Sequence, residues 1–284
     1  MNMLTKSQFR WLITYGKLRI IGKPLYTLAV SAELASQRMI DCINGAPKAP
    51  GKPYVERNLT AVVKTFERPA VLRRLIAGIW RNYPHLRIIV ADDSRRPSHI
   101  GNVQTVIMPC DSGISAGRNE ALRHVETQYV LLLDDDFVIY RHTNLAASLA
   151  IMENYSQIDI MGGEVIDLPF FTKTDYSKAS LYPSNSKSTM PAGSYIGGLP
   201  VYDKVANFFI GRTDRIKLVQ WDPQLKKLEH ADFFTRAKGV LTTVFNANMK
   251  CLHAPTPFDA AYMKRRHDLA ADREVIKLRY YCSR

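Results

Sequence analysis

Cysteine is scarce and unpatterned in this sequence. Cys42, Cys110, Cys251 and Cys282 are scattered over 284 residues without CxxC spacing. That excludes a cysteine zinc site and a disulfide framework, and it suits a reducing compartment. Long apolar runs are missing too. The patches "WLITYG" (11–16) and "LYTLAVSAELA" (25–35) are bounded by Arg10, Lys17, Arg19 and Lys23, and neither approaches the ~20 residues of a spanning helix. No signal peptide, internal repeat or low-complexity tract is visible. Acidic residues are in short supply: 26 Asp and Glu face 39 Lys and Arg, a net charge of +13. Such an excess calls for an anionic partner, whether a phosphorylated ligand, an acidic membrane or a nucleic acid.

What is present is globular. Hydrophobic residues make up 46% and charged residues 23%, with ample length for a sizeable core. Residues 1–45 read as a basic amphipathic helical segment. "NGAPKAPGKPYVERN" (44–58) is rich in Pro and Gly, and 46–58 is expected to be a linker. From 59 onward strands and helices alternate. "LTAVVKTF", "LRIIVADD", "VQTVIMP" and "YVLLL" read as strands, and 69–82 and 115–125 as helices. This alternation predicts an α/β fold with a Rossmann-like, doubly wound, mostly parallel sheet over 59–257. A basic helical segment, 258–284, completes the chain.

In doubly wound sheets ligands sit beyond the carboxyl ends of the strands, and polar residues recur there. The first strand runs into Lys64, Thr65, Glu67 and Arg68, the second into Asp92, Asp93 and Ser94, the fourth into Asp134, Asp135 and Asp136. Three adjacent carboxylates at the end of an apolar strand repel one another. Helix capping accounts for one such aspartate; a hard divalent cation, Mn²⁺ or Mg²⁺, with a nucleotide phosphate accounts for all three. "DSGISAGRNEALRHV" adds a helix start with Gly113, Gly117 and a capping candidate in Ser115, and Arg118 supplies a cation for an anionic ligand.

In this order, "VVKTFERPAVLRRLIAGIWRNYP", "IIVADDS", "MPCDSGISAGRNEAL" and "YVLLLDDDFV" resemble the GT-A glycosyltransferases. More narrowly, they resemble the ganglioside-type β-1,4-N-acetylgalactosaminyltransferases. The similarity continues through "IDIMGGEVIDL", "VANFFIGRTDRI", "WDPQLKKLEHADFF" and "CLHAP", covering about 59–255. It implies a GT-A catalytic domain with helical N- and C-terminal extensions. It also implies inverting, metal-dependent transfer from a UDP-sugar to a glycan or lipid-linked acceptor. UDP-N-acetylgalactosamine leads as donor, followed by UDP-N-acetylglucosamine and UDP-galactose. The lack of the N-terminal anchor of Golgi members points to a bacterial-type enzyme of surface polysaccharide or lipooligosaccharide synthesis. It is expected in the cytoplasm, peripheral on the inner face of the membrane.

Roles follow from the resemblance. Thr65, Phe66 and Arg68 would line the base pocket, with Asp92 or Asp93 on uracil, Arg118 near the nucleotide and Asp134 and Asp135 at the donor. Asp136, with Asp134 and His253, would hold the metal; the alternative for His253 is an ordinary core histidine. Asp232 of "LEHADFF" would be the catalytic base, Glu229 the alternative, and His230 an acceptor-orienting or packing residue. Gly162 and Gly163 would bring backbone close to the donor sugar, unless they only mark a bulge. Residues 169–200 read as an acceptor-side flap. The seven Lys/Arg in 1–50 and seven in 264–284 suit an anionic membrane surface or a solvated basic face. Two rivals are weighed against this reading. A nucleotidyltransferase would share the sheet and the acids but release pyrophosphate. A nucleic-acid binder would suit the charge, but it has no use for an acidic crevice and the sequence has no basic-aromatic motif.

Overall fold

The computed structural model of the protein describes residues 16, 18–44 and 51–282. The first fifteen residues of the basic N-terminal segment and residues 46–50 of the expected linker lie outside the described residues. A long helix α1 (Arg19–Asn44) comes first, then a short α2 (Lys52–Asn58). That second helix corrects the linker expectation. Gly51, at φ 100°, starts it in a left-handed conformation and Pro53 falls in its first turn, a position where a missing N–H costs nothing.

The alternating region follows as β1 (Leu59–Thr65), α3 (Pro69–Asn82), β2 (Arg87–Asp92), β3 (Gln104–Ile107), α4 (Ile114–Arg123), β4 (Tyr129–Asp134) and β5 (Phe137–Val138). Next come α5 (Leu145–Asn154), β6 (Ile160–Asp167), β7 (Thr172–Lys173), β8 (Tyr195–Ile196), β9 (Leu199–Pro200), β10 (Phe209–Arg212) and α6 (Thr213–Val219). The chain closes with α7 (Glu229–Ala237), β11 (Thr243–His253), α8 (Ala260–His267) and α9 (Ala270–Tyr281).

The main sheet runs β3-β2-β1-β4-β10-β6-β11-β5, with β7 paired to β6. β1 to β4 are mutually parallel, and β10 is antiparallel to both β4 and β6. β6 and β11 are parallel to each other. Six strands therefore point one way, and the carboxyl ends of β1, β2, β4, β6 and β11 share one edge. Continuous apolar runs such as "YVLLL" suit strands buried on both faces. One layer of core packs Leu72, Leu75, Ile76 and Ile79 of α3 against the sheet, and the other packs Leu122, Trp221, Phe233 and Phe234.

The terminal helices dock on this body. α1 sets Tyr26, Val30 and Leu34 against Val138, Tyr140, Leu168 and Leu252, and the Tyr26 hydroxyl donates to the Pro255 carbonyl at 3.0 Å. Its other side leaves Ile21, Leu25, Leu28, Met39 and Ile43 exposed. α9 packs Ile276 and Tyr280 onto Leu225.

Candidate active site

A cavity of about 630 Å³ opens at the shared carboxyl edge. Asp134, Asp136 and His253 line it from the strand ends, Phe66 and Arg68 from the turn after β1, and Arg265 and Arg266 from α8.

Arg68 organises the aspartate triplet. Its guanidinium grips both oxygens of Asp135, donates to Asp136 Oδ2 at 3.0 Å, and lies 3.8 Å from the Tyr262 ring centre. Thr65 Oγ1 donates to Asp135 Oδ2 at 2.8 Å. The charge repulsion that the sequence poses is thus relieved first by a buried arginine. Burial pushes Asp135 up, and the Asp136 charge adds to this, against the pull of Arg68. Burial would raise Asp136 as well, but His253 and Arg68 outweigh it and hold that carboxyl well below the usual range.

His253, at the end of β11, lies across from Asp167 in the sheet register. Its Nδ1 is 2.6 Å from Asp167 Oδ1 and its Nε2 3.4 Å from Asp136 Oδ1. Burial would lower its imidazole; the bonds to Asp136 and Asp167 outweigh burial and push it up to about 9. Asp134 is the open member of the triplet, its side chain 38% exposed. Arg118, buried under Trp221, joins it to α7 by donating to Asp134 Oδ1 and to Glu229 Oε1, each at 2.7 Å.

The first turn of α7 separates the two candidate bases. Phe233 and Phe234 anchor the helix in the core as expected, Phe233 stacking on Trp221 at 4.7 Å. That anchoring sends Asp232 away from the cavity. Asp232 is fully buried and accepts from Arg236 Nε at 2.8 Å, Arg279 Nη1 at 2.7 Å and the Tyr280 hydroxyl at 2.7 Å. It is the dock for α9 and does not fit a catalytic base, because it is fully buried, holds three donors and does not line the cavity. Glu229 and His230 line the cavity instead. Glu229 is pushed up, by burial first and by the Asp134 charge, against Arg118; its Oε2 is buried without a partner.

Other expected residues also sit elsewhere. Asp92 and Asp93 are fully buried and do not fit a uracil contact. The N–H groups of Ser94 and Ser98 occupy Asp92, while Lys64 at 2.7 Å and the Gly113 N–H at 3.0 Å occupy Asp93. Thr65 is spent on Asp135. Gly162 serves packing, since a Cβ there would lie 2.3 Å from Val205 Cβ. Gly163 reaches the cavity wall, yet a Cβ on it would lie 2.4 Å from Phe208 Cε1. Ser115 does not cap α4; its hydroxyl is buried without a partner. Gly117 does allow close approach, because a Cβ there would meet Lys64 Cγ at 2.5 Å.

Two features of the cavity escape the sequence reading. Arg265 of α8 lies 3.9 Å from the Phe66 ring centre, so the basic C-terminal segment forms a wall. Its charge run, read as surface or membrane-facing, carried the only signal. Tyr176 of the 169–200 segment meets His230 edge-on at 6.0 Å, and its place within a polar loop offered no signal.

Residues 60–216 match Glycosyl transferase family 2. The chain is 36% identical over 194 residues to beta-1,4 N-acetylgalactosaminyltransferase 1 of Rattus norvegicus, covering 64% of this chain and 36% of that protein. It is 34% identical over 200 residues to beta-1,4 N-acetylgalactosaminyltransferase 2 of Mus musculus, covering 68% of this chain and 38% of that one. The chain thus spans little more than a third of these relatives' length. Among solved structures, S. aureus TarS 1–349 in complex with UDP-GlcNAc superposes with a TM-score of 0.55 at 15% identity. The match covers 79% of this chain and 67% of TarS 1–349, and the shared architecture is the GT-A fold.

Proposed function

The chain belongs to glycosyl transferase family 2, and from that premise we propose that it moves a sugar from a UDP-linked donor to a glycan or lipid-linked acceptor. N-acetylgalactosamine is the leading sugar, by likeness to the mammalian transferases. A surface polysaccharide or lipooligosaccharide is the leading acceptor. The observation that carries the reading is the division of the cavity walls. Two acids, the exposed Asp134 and the buried Asp136, line the cavity from the strand side, and Lys226, Arg265 and Arg266 line it from the loop before α7 and from α8. Such a cavity has the volume for a nucleotide-sugar, cations for its diphosphate and an aromatic face, Phe66, for its base.

A divalent cation fits this site in part. No cluster of three His, Cys, Asp or Glu side chains is preformed among the described residues. Asp136 and His253 do stand 3.4 Å apart, with the exposed Asp134 beside them. That set is short of a protein cage and suits Mn²⁺ or Mg²⁺ completed by phosphate oxygens, with the ion taking the place of the proton that Asp136 and Asp167 favour on His253. When bound, the ion would neutralise the charge developing on the leaving diphosphate. Arg68 keeps Asp135 and Asp136 oriented, and Arg118 holds Asp134 toward the donor. Glu229 Oε2, buried and unpartnered, offers an acceptor to a sugar hydroxyl.

The same proposal places the protein at an anionic membrane surface. α1 packs by one face and exposes an apolar stripe on the other, within a chain of net charge +13. Among the described residues no helix is long and apolar enough to cross a membrane; the contact proposed is interfacial, through the exposed apolar side of α1.

The deciding experiment is a donor screen with Mn²⁺, using UDP-N-acetylgalactosamine, UDP-N-acetylglucosamine and UDP-galactose, and measuring UDP release. Release from the first above the others is expected. Release of pyrophosphate in place of UDP would refute the transferase reading.

A further inference from the structure

The cavity-facing side of α7 carries two residues that the acceptor half of the reaction could use, Glu229 and His230, and they are held differently. His230 lies in the first turn of the helix and its ring lines the cavity. Its Nε2 is 2.7 Å from the Val205 carbonyl oxygen. A carbonyl can only accept, so that bond fixes the proton on Nε2 and leaves Nδ1 with an open lone pair. Nδ1 has no hydrogen-bond partner among the described residues. Two rings hold the imidazole plane from the sides, Tyr176 at 6.0 Å and Phe234 at 5.5 Å, both edge-on. A half-buried ring with one nitrogen anchored and the other open to the cavity is oriented for proton transfer.

The neighbours keep the ring neutral. Burial lowers its pKa first and the Lys204 and Arg118 charges add, against the Val205 bond, to leave it at about 4. Tyr176 faces it as a neutral phenol pushed further up by burial. A pKa near 4 leaves the open nitrogen deprotonated at neutral pH. The two acids of the same turn are engaged otherwise. Asp232 binds three donors outside the cavity. Glu229 gives Oε1 to Arg118, which also holds Asp134, and its Oε2 is buried without a partner, which makes it the one rival to His230 in this turn.

We propose that His230 is the catalytic base, with Nδ1 taking the proton of the attacking hydroxyl while Val205 holds the ring from behind. The assignment rests on the transferase reading above. In the step, the hydroxyl O–H bond breaks and its proton passes to Nδ1. The oxygen forms a bond to the anomeric carbon from the face opposite the leaving group. The bond from that carbon to the phosphate oxygen breaks, and its electron pair leaves with UDP. The imidazolium then returns its proton to water.

The test measures UDP release from UDP-N-acetylgalactosamine with Mn²⁺ and water as the acceptor, alongside the donor's Kd by calorimetry and the thermal midpoint. His230→Gln and His230→Asn keep a polar side chain and lose the base, and kcat should fall ~10²–10⁴-fold with Kd within about twofold of wild type. His230→Ala should be rescued in part by added imidazole, with the rescue rising with imidazole's neutral fraction; a purely structural histidine would show no such dependence. Glu229→Gln should act mainly on KM. Near-normal kcat in a folded His230→Gln or His230→Asn, or no imidazole rescue with a full loss of kcat in Glu229→Gln, overturns the assignment. Failure of the wild-type protein to bind any UDP-sugar overturns the transferase reading itself, and the calorimetry tells the two failures apart.

Discussion

The Tyr280 hydroxyl donates to Asp232 Oδ1 at 2.7 Å, across 48 residues of sequence. Arg279 donates to the same oxygen and also pairs with Asp222, so one buried carboxylate fastens the last helix to the first turn of α7. Asp232→Ala removes the anion and leaves two arginines short of a partner. It is expected to cost about 1–3 kcal/mol of stability, the range for leaving polar groups unsatisfied, because both arginines are partly exposed and keep other partners. Urea unfolding measures this. A midpoint unchanged from wild type would refute the clamp, and donor affinity in folded protein should stay the same.

Metal and nucleotide are expected to act together on stability. Asp136, His253 and Asp134 form an incomplete set, so Mn²⁺ alone should move the thermal midpoint little, and Mn²⁺ with UDP should raise it. Asp136→Asn should erase the joint shift, as should chelator. A full shift in Asp136→Asn would take that residue out of the metal site.

Gly163→Ala probes the floor of the cavity. The added Cβ would lie 2.4 Å from Phe208 Cε1 and 2.5 Å from the Met249 carbonyl oxygen. The second contact is backbone and cannot rotate away. The expected loss is about 1–3 kcal/mol by overpacking, read by chemical denaturation, with donor affinity reduced as well. Wild-type stability would mean that the strands part more readily than their register indicates.

Acid should destabilise the protein through His230. Its pKa is held near 4 in the fold against an ordinary 6.5, so between those values the unfolded chain binds the extra proton. The neutral ring costs nothing above pH 6.5. As pH falls toward 4 the native state loses about 3 kcal/mol relative to the unfolded one. His230→Gln should flatten this part of the stability–pH curve. A curve of unchanged slope would show that the ring is solvated.

Lipid contact is tested with vesicles. Wild-type protein should bind anionic vesicles more than neutral ones, less so as salt rises. Leu25→Glu with Leu28→Glu, on the exposed side of α1, should weaken binding without changing the thermal midpoint. Equal binding by wild type and the double variant would remove α1 from the interface.

Much of the sheet was legible in the sequence because runs such as "YVLLL" and "RIIVAD" are apolar on both faces and end in polar residues. β4 and β2 fall where those runs lie. The segment before β1 was not legible. Pro and Gly mark linkers and helix starts alike, and at Gly51 and Pro53 the second use prevails. Site residues read from strand ends lie at the carboxyl edge of the sheet, but not all of them line the cavity. Asp92 and Asp93 look the same as Asp134 to Asp136 in sequence. What separates them is that nearby N–H groups and Lys64 turn in to satisfy the first pair. Asp232 and Glu229 are three positions apart on α7, and which of them meets the cavity depends on where Phe233 and Phe234 pack and where α9 lies. That partner, 48 residues on, has no local signature.

β6 and β10 are adjacent strands of opposite direction, so the chain leaves the sheet after Asp167 and re-enters it at Phe209 on the same edge, beside the cavity. Between them β7 pairs back on β6, and the rest, including Tyr176, is an excursion whose two ends are fixed next to each other. Closing such a loop costs little more when it grows, about 0.6 kcal/mol for each doubling of length. The strands that carry Asp134, Asp136 and His253 are pinned by other neighbours. Insertions and deletions can therefore be absorbed in the largely exposed stretch 183–194, away from the buried Val205 and Phe208, so the chain can change length here without shifting the strand ends that line the cavity.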